Sequence, residues 1–198
     1  MGTRGVTGFV ADGKWYVTYN HFDSYPEYLG MLVLEFCKGG WDWEAVKENV
    51  RKVKLVGDRD VPTEEEIYHY ACFSNLDVST RSLTDWYCLL RNLQGVNILY
   101  AIARDDVEHM IDNHKFMADS LFCEWGYIID LDDMTLKVYK GFNEKLINDT
   151  PLPPDVFSGV EEEGYYPVKM LHAYSLNRLP KFMLGVTNKF KEEYALTH

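Results

Sequence analysis

The sequence predicts an α+β fold: a mainly antiparallel sheet built from an N-terminal and a C-terminal hairpin, with helices from the middle of the chain packed on it. Three observations predict it. Alternating or apolar β-branched runs flank Asp12-Gly13 and Asp132-Asp133. Capping signals followed by apolar residues at i, i+3 and i+4 fill the stretch from Ser24 to Ala103, and from Cys123 onward the pattern returns to strands. A layered αββα sandwich is one arrangement of these elements.

Taken in order, Thr3 to Val10 and Lys14 to Asn20 read as strands joined by Asp12-Gly13, a dipeptide that tolerates the positive φ angles of a tight hairpin. Ser24-Tyr25-Pro26-Glu27 has the form of a capping box. It predicts a helix from about Tyr25 to Lys38, with Gly39-Gly40 as its stop. Asp42 caps a second helix carrying Trp43, Val46, Val50 and Val53, which breaks at Gly57-Asp58. The box recurs at Thr63 to Glu66 ahead of Ile67 and Tyr70, and in an Asp variant at Ser82 to Asp85 ahead of Trp86, Leu89 and Leu93. Asn97 to Ala103 is a short apolar run read as helix. Trp125 to Leu131 and Thr135 to Tyr139 form the second hairpin, Tyr165 to Tyr174 a fifth strand, and Leu179 to Tyr194 a closing helix.

Composition narrows the functional classes. Across 198 residues, 20 Lys+Arg stand against 31 Asp+Glu, a net charge of −11 that argues against a phosphate-tracking surface and a nucleic-acid partner. At 46% hydrophobic residues the chain can form a core, and one globular domain over residues 1–198 is expected. The sequence has no apolar run of membrane-spanning length and no secretory pattern after Met1, so the expectation is a cytoplasmic protein with no membrane association. Cys37, Cys72, Cys88 and Cys123 form no CxxC pair, and His109 and His114 miss the i, i+4 spacing of a helical metal site. No metal is expected. Nucleotide-binding and common hydrolase motifs are missing, and no cofactor is expected.

The densest chemistry lies at Thr3-Arg4 and at Asn20-His21-Phe22-Asp23-Ser24, which flank the same hairpin. Thr3, Arg4, Asn20, His21 and Asp23 therefore form the candidate catalytic set: a hydroxyl, a guanidinium, an amide, an imidazole and a carboxylate. A purely structural reading stands beside it, in which Asp23 and Ser24 cap the helix, Arg4 pairs with Asp23, and Asn20 finishes the hairpin.

The MGTRG opening, the DGK turn, TYNHFDSYP and the Asp119 to Trp125 run resemble an uncharacterised group of viral and microbial proteins that begin with MGTR and carry an Asp-x-Tyr-Pro motif. That resemblance implies no activity. The strand, DG turn and following Asn-to-Asp run are more distantly similar to the N-terminal nucleophile hydrolases of the bile-salt-hydrolase and penicillin-acylase type. This second resemblance implies Thr3 as nucleophile, with Asn20 and Asp23 near the second motif, where Tyr19 takes the place of the usual arginine. In that class the nucleophile's free α-amine is the base, which Met1-Gly2 would have to vacate. Two function classes follow. The first is a non-catalytic binding or inhibitory protein, viral by its resemblance, whose acidic surface engages a basic partner, a protein or a small-molecule ligand. The second is a small hydrolase or transferase acting on an amide-like bond.

Overall fold

The computed structural model describes residues 2–57, 59–145, 150–159, 164–181 and 183. The fold is α+β, as the pattern of hairpins and capped helices predicts. Strands β1 (Gly5–Ala11) and β2 (Lys14–Asn20) pair antiparallel from Gly5↔Asn20 to Ala11↔Lys14. Between them Asp12 and Gly13 take φ of 52° and 72°, the left-handed pair a two-residue hairpin needs. The second hairpin, β5 (Trp125–Asp130) with β6 (Thr135–Lys140), is continued by β7 (Lys169–Ser175). Between the hairpins the sequence forms a separate small parallel sheet of β3 (Lys54–Val56) and β4 (His109–Ile111).

The large sheet has the order β2-β1-β5-β6-β7, and its one parallel contact joins the hairpins, β1 against β5 from Gly5↔Trp125 to Val10↔Asp130. Alternation along these strands makes two apolar faces. Phe9, Ala11, Tyr127, Ile129, Leu136 and Val138 lie on one, packed with residues of α1 (Met31–Cys37), α2 (Trp43–Lys52) and α5 (Val96–Ala103). Phe36 of α1 sits at the centre of that layer, with ring centroids 6.2 Å from Phe9 and 4.9 Å from Tyr100. On the other face Val6, Val10, Val17, Ile128 and Tyr139 pack with Met117, Leu152, Val156 and Val168. Each large side chain buried in this way contributes about 1.5–3 kcal/mol.

Several expectations are corrected. Two stacked sheets, the αββα arrangement, are not formed among the described residues. One sheet is covered by helices on one side and on the other by 3-10 turns at His114–Ala118 and Pro154–Gly159. Thr3 and Arg4 precede β1 rather than starting it. The Ser24 capping box does not form: the following turn, Pro26–Gly30, is π-helical, its first flanking residue is Tyr25, and no side chain caps it. The box at Ser82 to Asp85 is also absent, since Asp85 itself caps α4 (Trp86–Leu89) by accepting from the Tyr87 amide at 2.8 Å. β7 begins at Lys169, four residues after the expected start at Tyr165, beyond Pro167. The expected C-terminal helix from Leu179 to Tyr194 falls mostly outside the described residues. By contrast, Asp42 and the Thr63–Glu66 box cap α2 and α3 (Glu64–Tyr70) as anticipated.

Candidate functional site

Five loops meet where β1, β5 and β7 begin and β2 and β6 end. Backbone hydrogen bonds fix them to one another. The Ser24 amide donates to Thr3 O at 3.0 Å, the Glu124 amide to Arg4 O at 3.0 Å, and the Phe142 amide to Ser120 O at 2.7 Å. The candidate residues Thr3, Arg4, Asn20, His21 and Asp23 therefore do share one end of the sheet. They do not share one set of contacts.

Alternation divides them. Asn20, paired with Gly5, points to the helical side and is part of a buried polar knot: its Nδ2 donates to Phe22 O and, at 2.8 Å, to Ser24 Oγ. Ser24 is fully buried, and its own carbonyl accepts from Tyr127 Oη at 2.9 Å. Thr7 Oγ1 donates to Gly95 O at 2.7 Å, which brings the 91–95 segment against the same strand end. Gly95 has φ 62° and ψ −134°, and a Cβ there would stand 2.5 Å from Asn20 Oδ1. Asn20 and Ser24 are thus held as structural residues.

His21 lies on the other side, two residues from Tyr19, whose hydroxyl contacts His21 Nδ1 at 2.8 Å. The His21 ring also packs on Phe22, with centroids 4.1 Å apart, and Tyr19 packs on Phe116 at 5.2 Å. Partial burial, then the Arg91 and Arg4 charges, hold the His21 pKa below its ordinary value, so the imidazole is neutral at pH 7. Burial pushes Tyr19 above its ordinary value, against the opposing pull of Arg4 and Arg91.

Arg4 and Asp23 form no ion pair, which overturns the structural pairing expected between them. The Arg4 guanidinium lies over the Phe122 ring at 5.0 Å. Asp23 is exposed, adopts φ 52°, and its backbone carbonyl accepts from the Leu29 amide at 3.2 Å. The Thr3 hydroxyl makes no hydrogen bond with a described residue. Cys123 is fully buried with burial pushing its thiol well above the usual range, so it supplies no nucleophile.

Sequence reasoning missed most of what this end of the sheet exposes. Phe22, Tyr25, Tyr28, Phe122 and Phe142 are 38–59% exposed. Arg4 covers Phe122, while Lys140, buried and held down at about 8 chiefly by desolvation, lies 5.0 Å from the Phe142 centroid and 4.3 Å from that of Trp125. The opposite end of the sheet is its chemical reverse. Asp12 and Asp132 both meet Lys47, Asp12 also meets Arg51, and Lys137 bridges Asp130 and Asp133. Asp132 further accepts from the Asp12 and Gly13 amides at 2.8 Å each, so this acidic cluster ties the two hairpin tips to α2. No group of His, Cys, Asp and Glu that could hold a metal ion occurs among the described residues, and none of their helices is long and apolar enough to cross a membrane. Compared with protein-family models, with curated proteins and with solved structures, the chain gives no match.

Proposed function

We propose that this chain is a non-catalytic binding protein that engages a protein partner through the aromatic end of its sheet. The observation that carries the reading is the concentration there of large exposed apolar side chains. Among the described residues, Phe22, Tyr25, Tyr28, Phe122 and Phe142 make up five of the nine such residues, four of them on loops at that end and Tyr28 in the π-helical turn beside them. A solvated surface disfavours such grouping, and a concentration of exposed apolar side chains of this kind is the usual mark of an interface. Aromatic rings also suit a hot spot, since they bring much contact area for little lost rotamer freedom.

Net acidity alone points to a basic partner, but the acids at the far hairpin tips already have cationic partners within the chain. They support the fold rather than a basic partner. The hydrolase alternative draws no support from the site, where the Thr3 hydroxyl forms no hydrogen bond with a described residue and Asn20 is engaged by Phe22 and Ser24. The experiment is site-specific photo-crosslinking from positions 22, 122 and 142, with position 68 as control because Tyr68 is 88% exposed but lies on α3. One protein captured from all three positions and not from 68 supports the reading. Equal capture from every position, or none, overturns it.

A further inference from the structure

Within that face, we propose that the Arg4 and Arg91 guanidiniums, together with His21, oriented by the Tyr19 hydroxyl, and the amide nitrogen of Gln94, form a binding site for an oxyanion, a phosphate or carboxylate group. The inference rests on the binding reading for who carries the anion, but the site itself can be tested without any partner.

The placement follows from register and packing. Gly5↔Asn20 pairing sets Arg4 and His21 side by side where the hairpin opens, and the Thr7–Gly95 hydrogen bond with the Gly95–Asn20 contact lays the 91–95 segment along the same strand end. Arg91 follows α4 in a 3-10 turn, Arg91–Leu93, and acts electrostatically on both His21 and Tyr19, as Arg4 does. Two cations therefore converge on one Tyr–His pair in a chain of net charge −11. Neither forms an ion pair with a carboxylate of the described residues.

Each guanidinium is instead held against a ring, Arg4 over Phe122 at 5.0 Å and Arg91 over Tyr87 at 5.7 Å. A ring below the plane fixes its orientation while leaving edge N–H groups for a ligand. Arg91 Nη1 also donates to Gln94 Oε1, which assigns the amide's orientation. The nitrogen of that amide is buried and has no hydrogen-bond partner. A buried donor left unpaired is costly, and beside the Arg91 guanidinium an oxyanion is the ligand that would satisfy it. On His21, Nδ1 is taken by Tyr19, so Nε2 is the nitrogen left to face a ligand. The donors belong to several separate side chains, which suits an anion with more than one oxygen.

The test is an NMR titration of the full chain with inorganic phosphate, phenyl phosphate, acetate and benzoate, following the His21 ring. An anion between the two arginines offsets their charge, so the His21 pKa should rise as the probe saturates. Arg4→Gln and Arg91→Gln should each weaken binding about tenfold, the effect of losing a charge-assisted hydrogen bond. Arg81→Gln, an exposed arginine elsewhere, should leave it unchanged. Response to the phosphates alone identifies a phosphoryl group, response to the carboxylates alone a carboxylate, and either supports the site. No shift of the His21 pKa with any probe overturns it, as does wild-type affinity in both arginine variants. The wild-type titration needs no variant to fold. If phosphate binds but photo-crosslinking captures no partner, the anion site stands and the protein-docking reading falls.

Discussion

Gly95→Ala gives the sharpest test of how the site end is held, because Gly13→Ala supplies its control. Both glycines have positive φ, 62° and 72°. A Cβ on Gly13 would meet nothing within 4 Å, so that substitution costs only the left-handed backbone, roughly 1–2 kcal/mol. At Gly95 the backbone pair of 62° and −134° is essentially restricted to glycine and costs about 1–3 kcal/mol. The new methyl would also stand 2.5 Å from Asn20 Oδ1, displacing an amide whose nitrogen donates to Phe22 O and Ser24 Oγ. Losing those two hydrogen bonds adds about 1 kcal/mol each. The total is about 3–5 kcal/mol, and at a urea m-value of about 2 kcal/mol/M the midpoint should fall by about 1.5–2.5 M, against about 0.5–1 M for Gly13→Ala. Asn20→Ala removes the obstructing amide, so the double variant Asn20→Ala/Gly95→Ala should be no less stable than Gly95→Ala alone. Equal losses at the two glycines, or additive losses in the double variant, would refute the steric argument.

Tyr127→Phe should cost about 1–3 kcal/mol in urea denaturation, since it keeps the ring but strands the buried Ser24 carbonyl; a change within error would mean another donor reaches that oxygen. Tyr70→Phe should cost a similar amount, because the Tyr70 hydroxyl accepts from the Glu108 amide at 3.1 Å and contacts His109 Nδ1 at 3.0 Å, while His109 stacks on Trp86 and meets Glu66 at 3.0 Å; retention of full stability would show that none of these contacts depends on the hydroxyl. His114 lies between Asp112 at 2.6 Å and Asp155 at 2.8 Å, with Lys115 also near Asp155. Burial lowers the His114 pKa, but the bonds to Asp155 and Asp112 prevail and raise it above the ordinary 6.5. Its contribution to stability is therefore full below pH 6.5 and disappears as pH rises through the folded value. The stability difference between wild type and His114→Asn should shrink between pH 5.5 and 8, and a pH-independent difference would disprove the linkage.

How much was legible in the sequence depended on how local the cause was. The Asp12-Gly13 turn, the Asp42 cap and the Thr63–Glu66 box each act within four residues, and all three form. Ser24 has the same local signature as Thr63, yet its hydroxyl accepts from Asn20 and its carbonyl from Tyr127. Tertiary partners outcompeted the cap, and Asp23 at φ 52° turns the chain before the π-helical turn starts. The parallel contact between β1 and β5 and the three-residue strands β3 and β4 leave no periodic trace in the sequence, and neither was foreseen. The arginine over Tyr87 was invisible for the same reason. The segment that carries Arg91 meets the hairpin through Gly95, a relation of tertiary packing rather than spacing.

The candidate set itself shows why proximity in sequence is a poor guide to a site on a strand. Asn20 and His21 are adjacent, but the two-residue period of the sheet sends one toward the buried knot and the other toward the exposed aromatics. Read with that period, Tyr19 joins His21, and the amide of Asn20 becomes the anchor that brings Gly95, and with it the 91–95 segment, to the hairpin end. The division assigns separate tasks. One side stabilises the loops through the hydrogen bonds of Asn20, Thr7 and Tyr127, while Phe22, Tyr25 and Phe122 stay exposed; under the proposed binding reading, loops held in this way would lower the ordering cost of association. At the far hairpin tips, Lys47, Arg51 and Lys137 meet Asp12, Asp130, Asp132 and Asp133. Those cations stabilise hairpin tips, whereas Arg4 and Arg91 rest on rings without a carboxylate among the described residues. Cationic side chains thus meet carboxylates at one end of the sheet and rest on rings at the other, where the proposed site would use them.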